Sequence, residues 1–219
     1  MPLFVLDKTL HFPPAHLAGP DGLIAIGGDL SPERLLLAYR NGIFPWYEEA
    51  PILWWSPNPR FVLFPAELKK SKSVKPLLRR NAFDFTTNTA FKTVISYCKN
   101  IPRSDQFGTW ITDEVEQAYI QLHHMGYAHS AEVWQNDELV GGLYGIRLGR
   151  VFFGESMFSK QSNASRYAFI KYVELLAGEG VELIDCQVYT EYLASFGARM
   201  IPGNEFTTLL KNLVFTNES

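Results

Sequence analysis

Residues 183–188, Leu-Ile-Asp-Cys-Gln-Val, are the segment that most constrains how this chain can fold. Their apolar character calls for a buried β-strand, yet the strand carries a carboxylate and an amide two residues apart. Side chains alternate between the faces of a strand, so Asp185 and Gln187 share one face and Cys186 takes the other. Polar groups inside an apolar strand are costly unless hydrogen bonds satisfy them. The stretch 151–158, Val-Phe-Phe-Gly-Glu-Ser-Met-Phe, repeats the pattern with a lone carboxylate, Glu155. Two such interruptions predict a polar site sunk in an apolar wall.

A chain of 219 residues, 47% hydrophobic, has enough material for one large or two small globular domains. No window approaches the roughly 18 apolar residues of a membrane span, and the first residues lack a basic-then-apolar leader. A cytoplasmic protein without membrane attachment is expected. Cys98 and Cys186, on a helix-like and a strand-like segment, read as free thiols of a reducing compartment. His123 and His124 are adjacent and point apart on a helix, and neither cysteine joins a histidine cluster, so no metal site is expected.

The formal net charge of −3 argues against nucleic acid, but the distribution of charge argues for it. Between 69 and 80 lie Lys69, Lys70, Lys72, Lys75, Arg79 and Arg80, with no acid among them. Screening confines each charge to about 10 Å, so a local basic patch can hold phosphates on an acidic protein. A solvated basic surface is the alternative.

Two regions differ in texture, 1–65 and 66–219. The first is broken by prolines and glycines and is read as a small N-terminal domain. It holds one clear helix, with Ser31 as N-cap, Pro32 in the first turn, Leu35, Leu36, Ala38 and Tyr39 on the apolar face, and Gly42 as the stop. Aromatics follow beside prolines, and Trp54 and Trp55 either present flat rings or pack this region against its neighbour. The second region is regular. Helices are expected over 90–99, from the Thr112 cap to Gly126, and over 163–176. Strands are expected over 128–134, 139–146, 150–158 and 182–188. Short connections make the first three an antiparallel meander, and the intervening helix permits a parallel pairing of the last two. An α+β fold with a mixed sheet splayed at that parallel pair has the layout of the GCN5-related N-acetyltransferase-like type. An acetyl-CoA enzyme of that type needs a glycine-rich basic loop for pyrophosphate at the helix N-terminus. The link 159–165 has no glycine and one basic residue, Lys160, so coenzyme A is disfavoured.

Six segments together resemble the leucyl/phenylalanyl-tRNA–protein transferase family. They are GLIAIGGDLSPERLLLAYRNGIFPWY at 22–47, ILWWSPNPR at 52–60, FGTWIT at 107–112, AHSAEVWQNDELVGGLYG at 128–145, FFGESMFS at 152–159 and LIDCQV at 183–188. The resemblance implies transfer of Leu or Phe, and less readily Met, from aminoacyl-tRNA to proteins that begin with Lys or Arg. The product is a degradation signal of the N-end rule pathway. It implies that Trp46 and Trp110 stack on the terminal adenosine, and that Leu143, Phe153, Met157 and Phe169 hold the transferred side chain. It places Glu155, Asp185 and Gln187 at the reacting centre. Lys69, Lys70, Lys72, Lys75, Arg79 and Arg80 would meet tRNA phosphates.

Aminolysis of an activated ester needs no metal and no cofactor. An α-amine has an ordinary pKa near 8, so a useful neutral fraction exists at neutral pH, and orientation can supply much of the rate. A neutral amide is a very weak base. The expectation is therefore that Gln187 holds the amine, Asp185 orients Gln187 and favours positive charge, and Glu155 binds the acceptor. A monomer is expected. An acyl-CoA-dependent N-acyltransferase and a non-catalytic RNA-binding module are the competing readings.

Overall fold

The structure is a computed structural model and describes residues 3–101 and 110–214. Residues 107–109 of the motif at 107–112 lie outside them. A small four-stranded sheet comes first, with β1 (Phe4–Leu6), β2 (Leu23–Gly27), β3 (Phe44–Pro45) and β4 (Leu53–Trp55) in the order β1-β2-β4-β3. Helix α1 (Pro32–Arg40) connects β2 to β3. The Ser31 hydroxyl accepts the Arg34 N–H at 3.4 Å, Pro32 opens the helix, and Leu35, Leu36, Ala38 and Tyr39 are buried, as the pattern required.

The large sheet contains β5 (Arg60–Leu63), β6 (Asp84–Thr87), β7 (Ala128–Gln135), β8 (Glu138–Leu148), β9 (Val151–Ser159), β10 (Leu183–Gln187) and β11 (Arg199–Ile201). Its order is β11-β5-β10-β9-β8-β7-β6. The remaining helices are α2 (Lys75–Arg79), α3 (Phe91–Asn100), α4 (Asp113–His124), α5 (Ala164–Gly178), α6 (Glu191–Ala194) and α7 (Gly203–Val214). The Thr112 hydroxyl caps α4 by accepting the Val115 N–H at 3.2 Å. The meander β7-β8-β9 is antiparallel, and the crossover through α5 brings β10 parallel to β9, with Leu183, Ile184 and Asp185 opposite Val151, Phe152 and Phe153. The fold is thus α+β with two mixed sheets.

Three strands of the large sheet were not legible in the sequence. β5 is framed by prolines, β6 is a polar edge, Asp-Phe-Thr-Thr, and β11 has three residues. β5 comes from the proline-rich first region, yet it pairs with β10 and β11 inside the large sheet.

The two faces of the large sheet have separate cores. One joins it to α1, α3, α4, α7 and the small sheet through Tyr39, Trp54, Phe91, Tyr119, Tyr144, Phe153 and Phe206. Trp54 is fully buried there, with its indole N–H on the Gly27 carbonyl at 2.8 Å, so it packs rather than presents a ring. The other core lies under α5 and holds Phe61, Leu143, Phe152, Tyr167, Phe169, Ile184 and Phe196. β8 is buried along most of its length and close to its neighbours. A Cβ added at Gly145 would meet the Phe153 carbonyl oxygen at 2.1 Å. No helix among the described residues is long and apolar enough to cross a membrane.

Candidate active site

Both polar interruptions of the apolar strands coincide with breaks in strand register. Opposite β8, Ser156 pairs with Tyr144 and Gly154 with Gly145, so Glu155 is an extra residue in β9. Opposite β5, Asp185 pairs with Val62 and Gln187 with Phe61, so Cys186 is an extra residue in β10. A bulge kinks the strand and re-aims a side chain, which lets a carboxylate leave the apolar pleat.

Asp185 is fully buried and receives two parallel hydrogen bonds from Arg60, Nε at 2.8 Å and Nη2 at 2.6 Å. Arg60 is buried as well. Its Nη1 has no hydrogen-bond partner among the described residues, and the guanidinium is covered instead by the rings of Phe44 and Phe206, 4.9 and 4.6 Å from its carbon. The bidentate match is what makes burial of both charges tolerable. Asp185 Oδ1 also accepts the backbone N–H of Gln187 at 2.9 Å. That residue has φ of +63°, the left-handed region, at a cost of about 1–2 kcal/mol for a side chain other than glycine. Asp185 thus orients Gln187 through its backbone. The expectation that Asp185 also favours positive charge on the incoming amine is corrected by Arg60, which already neutralises it.

Gln187 Nε2 donates to Glu155 Oε1 at 2.9 Å, which leaves the amide oxygen of Gln187 available to a donor in the cavity. Tyr39 donates to the same Oε1 at 2.7 Å and Tyr119 to Oε2 at 3.1 Å, and the two phenols hydrogen-bond each other. Burial, and next the Glu155 charge, hold both phenols well above the ordinary tyrosine range, so they are neutral donors. The two phenols carry two protons for three contacts, so while both donate to Glu155 neither donates to the other, and a proton on Glu155 would turn one of these contacts round. Burial pushes the Glu155 carboxyl up to about 7, with the hydrogen bonds from Tyr39, Tyr119 and Gln187 pulling down and Asp185 pushing up.

Where the ladder between β9 and β10 stops, a cavity of about 500 Å³ opens. Glu155, Asp185 and Gln187 form its polar side, and Leu143, Phe152, Met157, Phe169 and Ile184 its apolar side. Trp46 and Trp110 also line it; Trp46 is 37% exposed, enough to offer a ring face, and tilts against Trp55 at 6.0 Å. Of the expected side-chain pocket, Leu143, Met157 and Phe169 are on the wall and Phe153 is not. The extra residue at Glu155 reverses the alternation of β9. Phe152 therefore shares the α5 face with Met157, while Phe153 packs on Tyr39 at 5.2 Å in the opposite core.

The basic run lies apart from the cavity. Lys69, Lys70, Lys72, Lys75, Arg79 and Arg80 are exposed, the last two at the end of α2, and Lys70 pairs with Glu174 of α5. Neither Cys98 nor Cys186 forms a disulfide among the described residues, and no group of His, Cys, Asp and Glu among them is placed to hold a metal. Sequence reasoning missed Arg60, Tyr39 and Tyr119. Signals existed: an arginine opening the apolar run Arg-Phe-Val-Leu needs a carboxylate, and a tyrosine on an apolar helix face needs a partner for its hydroxyl.

A carboxyl and an amide facing an apolar cavity can grip an amine beside an acyl group, and the class this leads to is the aminoacyltransferases. Residues 62–211 match the leucyl/phenylalanyl-tRNA protein transferase family, and residues 28–58 match the N-terminal domain of that family. A leucyl/phenylalanyl-tRNA–protein transferase of Syntrophobacter fumaroxidans is 57% identical over 96% of this chain and 90% of its own length. Its counterpart in Syntrophus aciditrophicus is 56% identical over 96% and 89%. The chain belongs to the leucyl/phenylalanyl-tRNA–protein transferase family. Among solved structures, a functionally unknown conserved protein from Staphylococcus epidermidis overlaps 82% of this chain and 68% of its own at 10% identity and a TM-score of 0.46, too distant to carry an argument.

Proposed function

We propose that this protein moves Leu or Phe, and less readily Met, from aminoacyl-tRNA to the α-amine of proteins that begin with Lys or Arg. The product is a degradation signal of the N-end rule pathway, made in the cytoplasm. The observation that carries the reading is the two-sided cavity, whose apolar wall of Leu143, Phe152, Met157 and Phe169 faces Glu155 and Gln187. The apolar wall suits an unbranched-at-Cβ or aromatic side chain, and Trp46 and Trp110 suit the terminal adenosine, where stacking is worth about 1–3 kcal/mol per base. The amide oxygen of Gln187 accepts an N–H of the amine. Ionised Glu155 pairs with the acceptor's cationic end. The amine nitrogen attacks the ester carbonyl, the C–N bond forms, the C–O bond to the tRNA ribose breaks, and the amine proton ends on the ribose oxygen, directly or through water.

The basic residues Lys69, Lys70, Lys72, Lys75, Arg79 and Arg80 are assigned to tRNA phosphates. The protein is assigned as a monomer. The division near residue 65 into a small N-terminal domain and an acyltransferase-like domain is retained, with β5 lent by the first to the sheet of the second. The α5 crossover and the ladder that ends at Asp185 support reading that sheet as GCN5-related N-acetyltransferase-like. Against an acyl-CoA donor, the first turn of α5 is occupied by the chain itself. Ser159 Oγ accepts the Ser165 N–H at 3.2 Å, and Lys160, the one basic residue of the link, lies 3.3 Å over the Tyr97 ring.

Mass spectrometry of peptides beginning with Lys, Arg, Ala or Asp, each supplied with charged tRNA or with acyl-CoA, tests the reading. A gain of one Leu or Phe on the Lys and Arg peptides alone, from charged tRNA alone, is expected. Acylation from acyl-CoA, or equal transfer to the Asp peptide, sinks it.

A further inference from the structure

Arg166 is a cation that the site described above does not use. It stands in the first turn of α5, half-buried, and forms no ion pair among the described residues. Its guanidinium carbon lies 4.6 Å from the Tyr192 ring centre and 5.2 Å from that of Phe196, and Nη1 donates to Ser195 Oγ at 3.0 Å. Two rings and one hydroxyl fix the plane of the group while leaving other N–H donors of the fork unspent. A guanidinium held flat, charged and without a carboxylate is suited to a bidentate oxyanion such as a phosphodiester.

Its position gives that oxyanion a source. Tyr192 lies on the cavity wall, and its hydroxyl bonds Ser165 Oγ at 2.8 Å beside Arg166. On the far side of the same turn, the Phe196 carbonyl accepts the Lys69 N–H at 2.8 Å, so the basic run begins where this turn ends. Lys70 is tied to Glu174, about two helical turns along α5 from Arg166. Of the acids on the neighbouring elements, Glu174 is occupied by Lys70, and Glu191 at the start of α6 is exposed. The segment 191–197 therefore bridges the basic run and the cavity mouth, with Arg166 between them.

We propose that Arg166 is a phosphate-binding residue that anchors the single-stranded 3′ end of the donor RNA between the basic run and the cavity. The proposal rests on the transferase reading and adds to it a contact and a path. The test compares wild type with Arg166→Gln and Arg166→Lys on two donors, charged tRNA and a phosphate-free 3′-aminoacyl-adenosine. With charged tRNA, Arg166→Gln should lower kcat/KM about five- to tenfold. It should also flatten the log–log salt dependence by roughly 0.7, one single-strand phosphate contact. Arg166→Lys should restore the salt slope but only part of the rate, because a point charge replaces a fork. With aminoacyl-adenosine, Arg166→Gln should change the rate less than about twofold, since that donor carries no phosphate to lose. An unchanged salt slope, or an equal loss on both donors, would overturn the proposal, the latter by showing that Arg166 only supports Tyr192. A wild-type protein inert toward both donors would instead overturn the transferase reading beneath it.

Discussion

The cavity holds two carboxyl groups, Asp185 fully buried and Glu155 partly so, whose surroundings differ in kind. Asp185 faces a guanidinium and a backbone amide, and Glu155 faces two neutral phenols and a side-chain amide. Both follow from a bulge in an apolar strand, so the backbone device is shared and the partners make the difference. The Arg60 fork clamps Asp185, whose task is geometric, to hold the left-handed Gln187. Neutral donors leave Glu155 near the point where it takes up a proton. A buried carboxylate is thus either a strut or a titrating group, and the charge of its partner decides which.

Breaking the strut should have the largest effect. Arg60→Ala strands a buried carboxylate and Asp185→Ala a buried guanidinium, and each is expected to cost about 3–5 kcal/mol of stability. Arg60→Met with Asp185→Leu removes both charges and should recover most of that loss in a thermal or denaturant melt. The double variant should still be inactive, because the Gln187 N–H has lost its acceptor and the amide is no longer aimed. Full transfer activity in the folded double variant would show that the pair is structural only. Gln187→Ala leaves the pair intact, and it should fold normally and reduce transfer about 10²-fold by loss of the group that orients the amine.

How much of this was open to sequence reasoning depended on distance along the chain. Asp185, Gln187 and Glu155 announced themselves because a polar residue in an apolar strand is a local anomaly. Their partners did not, since Arg60 lies 125 residues from Asp185, and Tyr39 lies 116 from Glu155. The family resemblance grouped Phe153 with Met157, and the extra residue at Glu155, which only the opposing strand reveals, puts Phe152 there instead. Likewise the meander and its crossover were legible from long periodic segments. The three-residue β11 and the polar edge β6 are strands only by virtue of their neighbours.

Glu155→Gln sharpens the contrast at an intermediate scale. The folded carboxyl titrates at about 7 against an ordinary value of 4.5. Because its folded value is raised, the native state binds the extra proton, so Glu155 contributes stability that is fully present below about 4.5 and lost as pH rises through about 7. Activity should run the other way. Transfer to a Lys peptide should increase as Glu155 ionises through about 7, and Glu155→Gln should lose that limb and about tenfold in kcat/KM at neutral pH. Melting and rate profiles of both proteins across pH 5 to 8 make the comparison. A wild-type limb that persists unchanged in Glu155→Gln would assign it to another group, such as the acceptor amine.

The smallest effects should come from the phenols. Each hydroxyl that donates to Glu155 favours its ionised form, so removing either one raises the carboxyl further and moves the acidic limb of the rate profile to higher pH. Tyr39 donates at 2.7 Å and Tyr119 at 3.1 Å, so Tyr39→Phe should move the limb more than Tyr119→Phe. Each substitution also leaves the surviving hydroxyl short of one partner in a buried ring, at about 1 kcal/mol of stability. Neither should alter the stability supplied by the Arg60–Asp185 pair, because no hydrogen bond connects the phenols to it directly. The same logic gives a sign that bulk destabilisation would not produce: activity falls at pH 6 but recovers at pH 8. If Tyr39→Phe lowers the rate by the same factor at both values, the tyrosines shape the cavity and have no part in setting the protonation of Glu155.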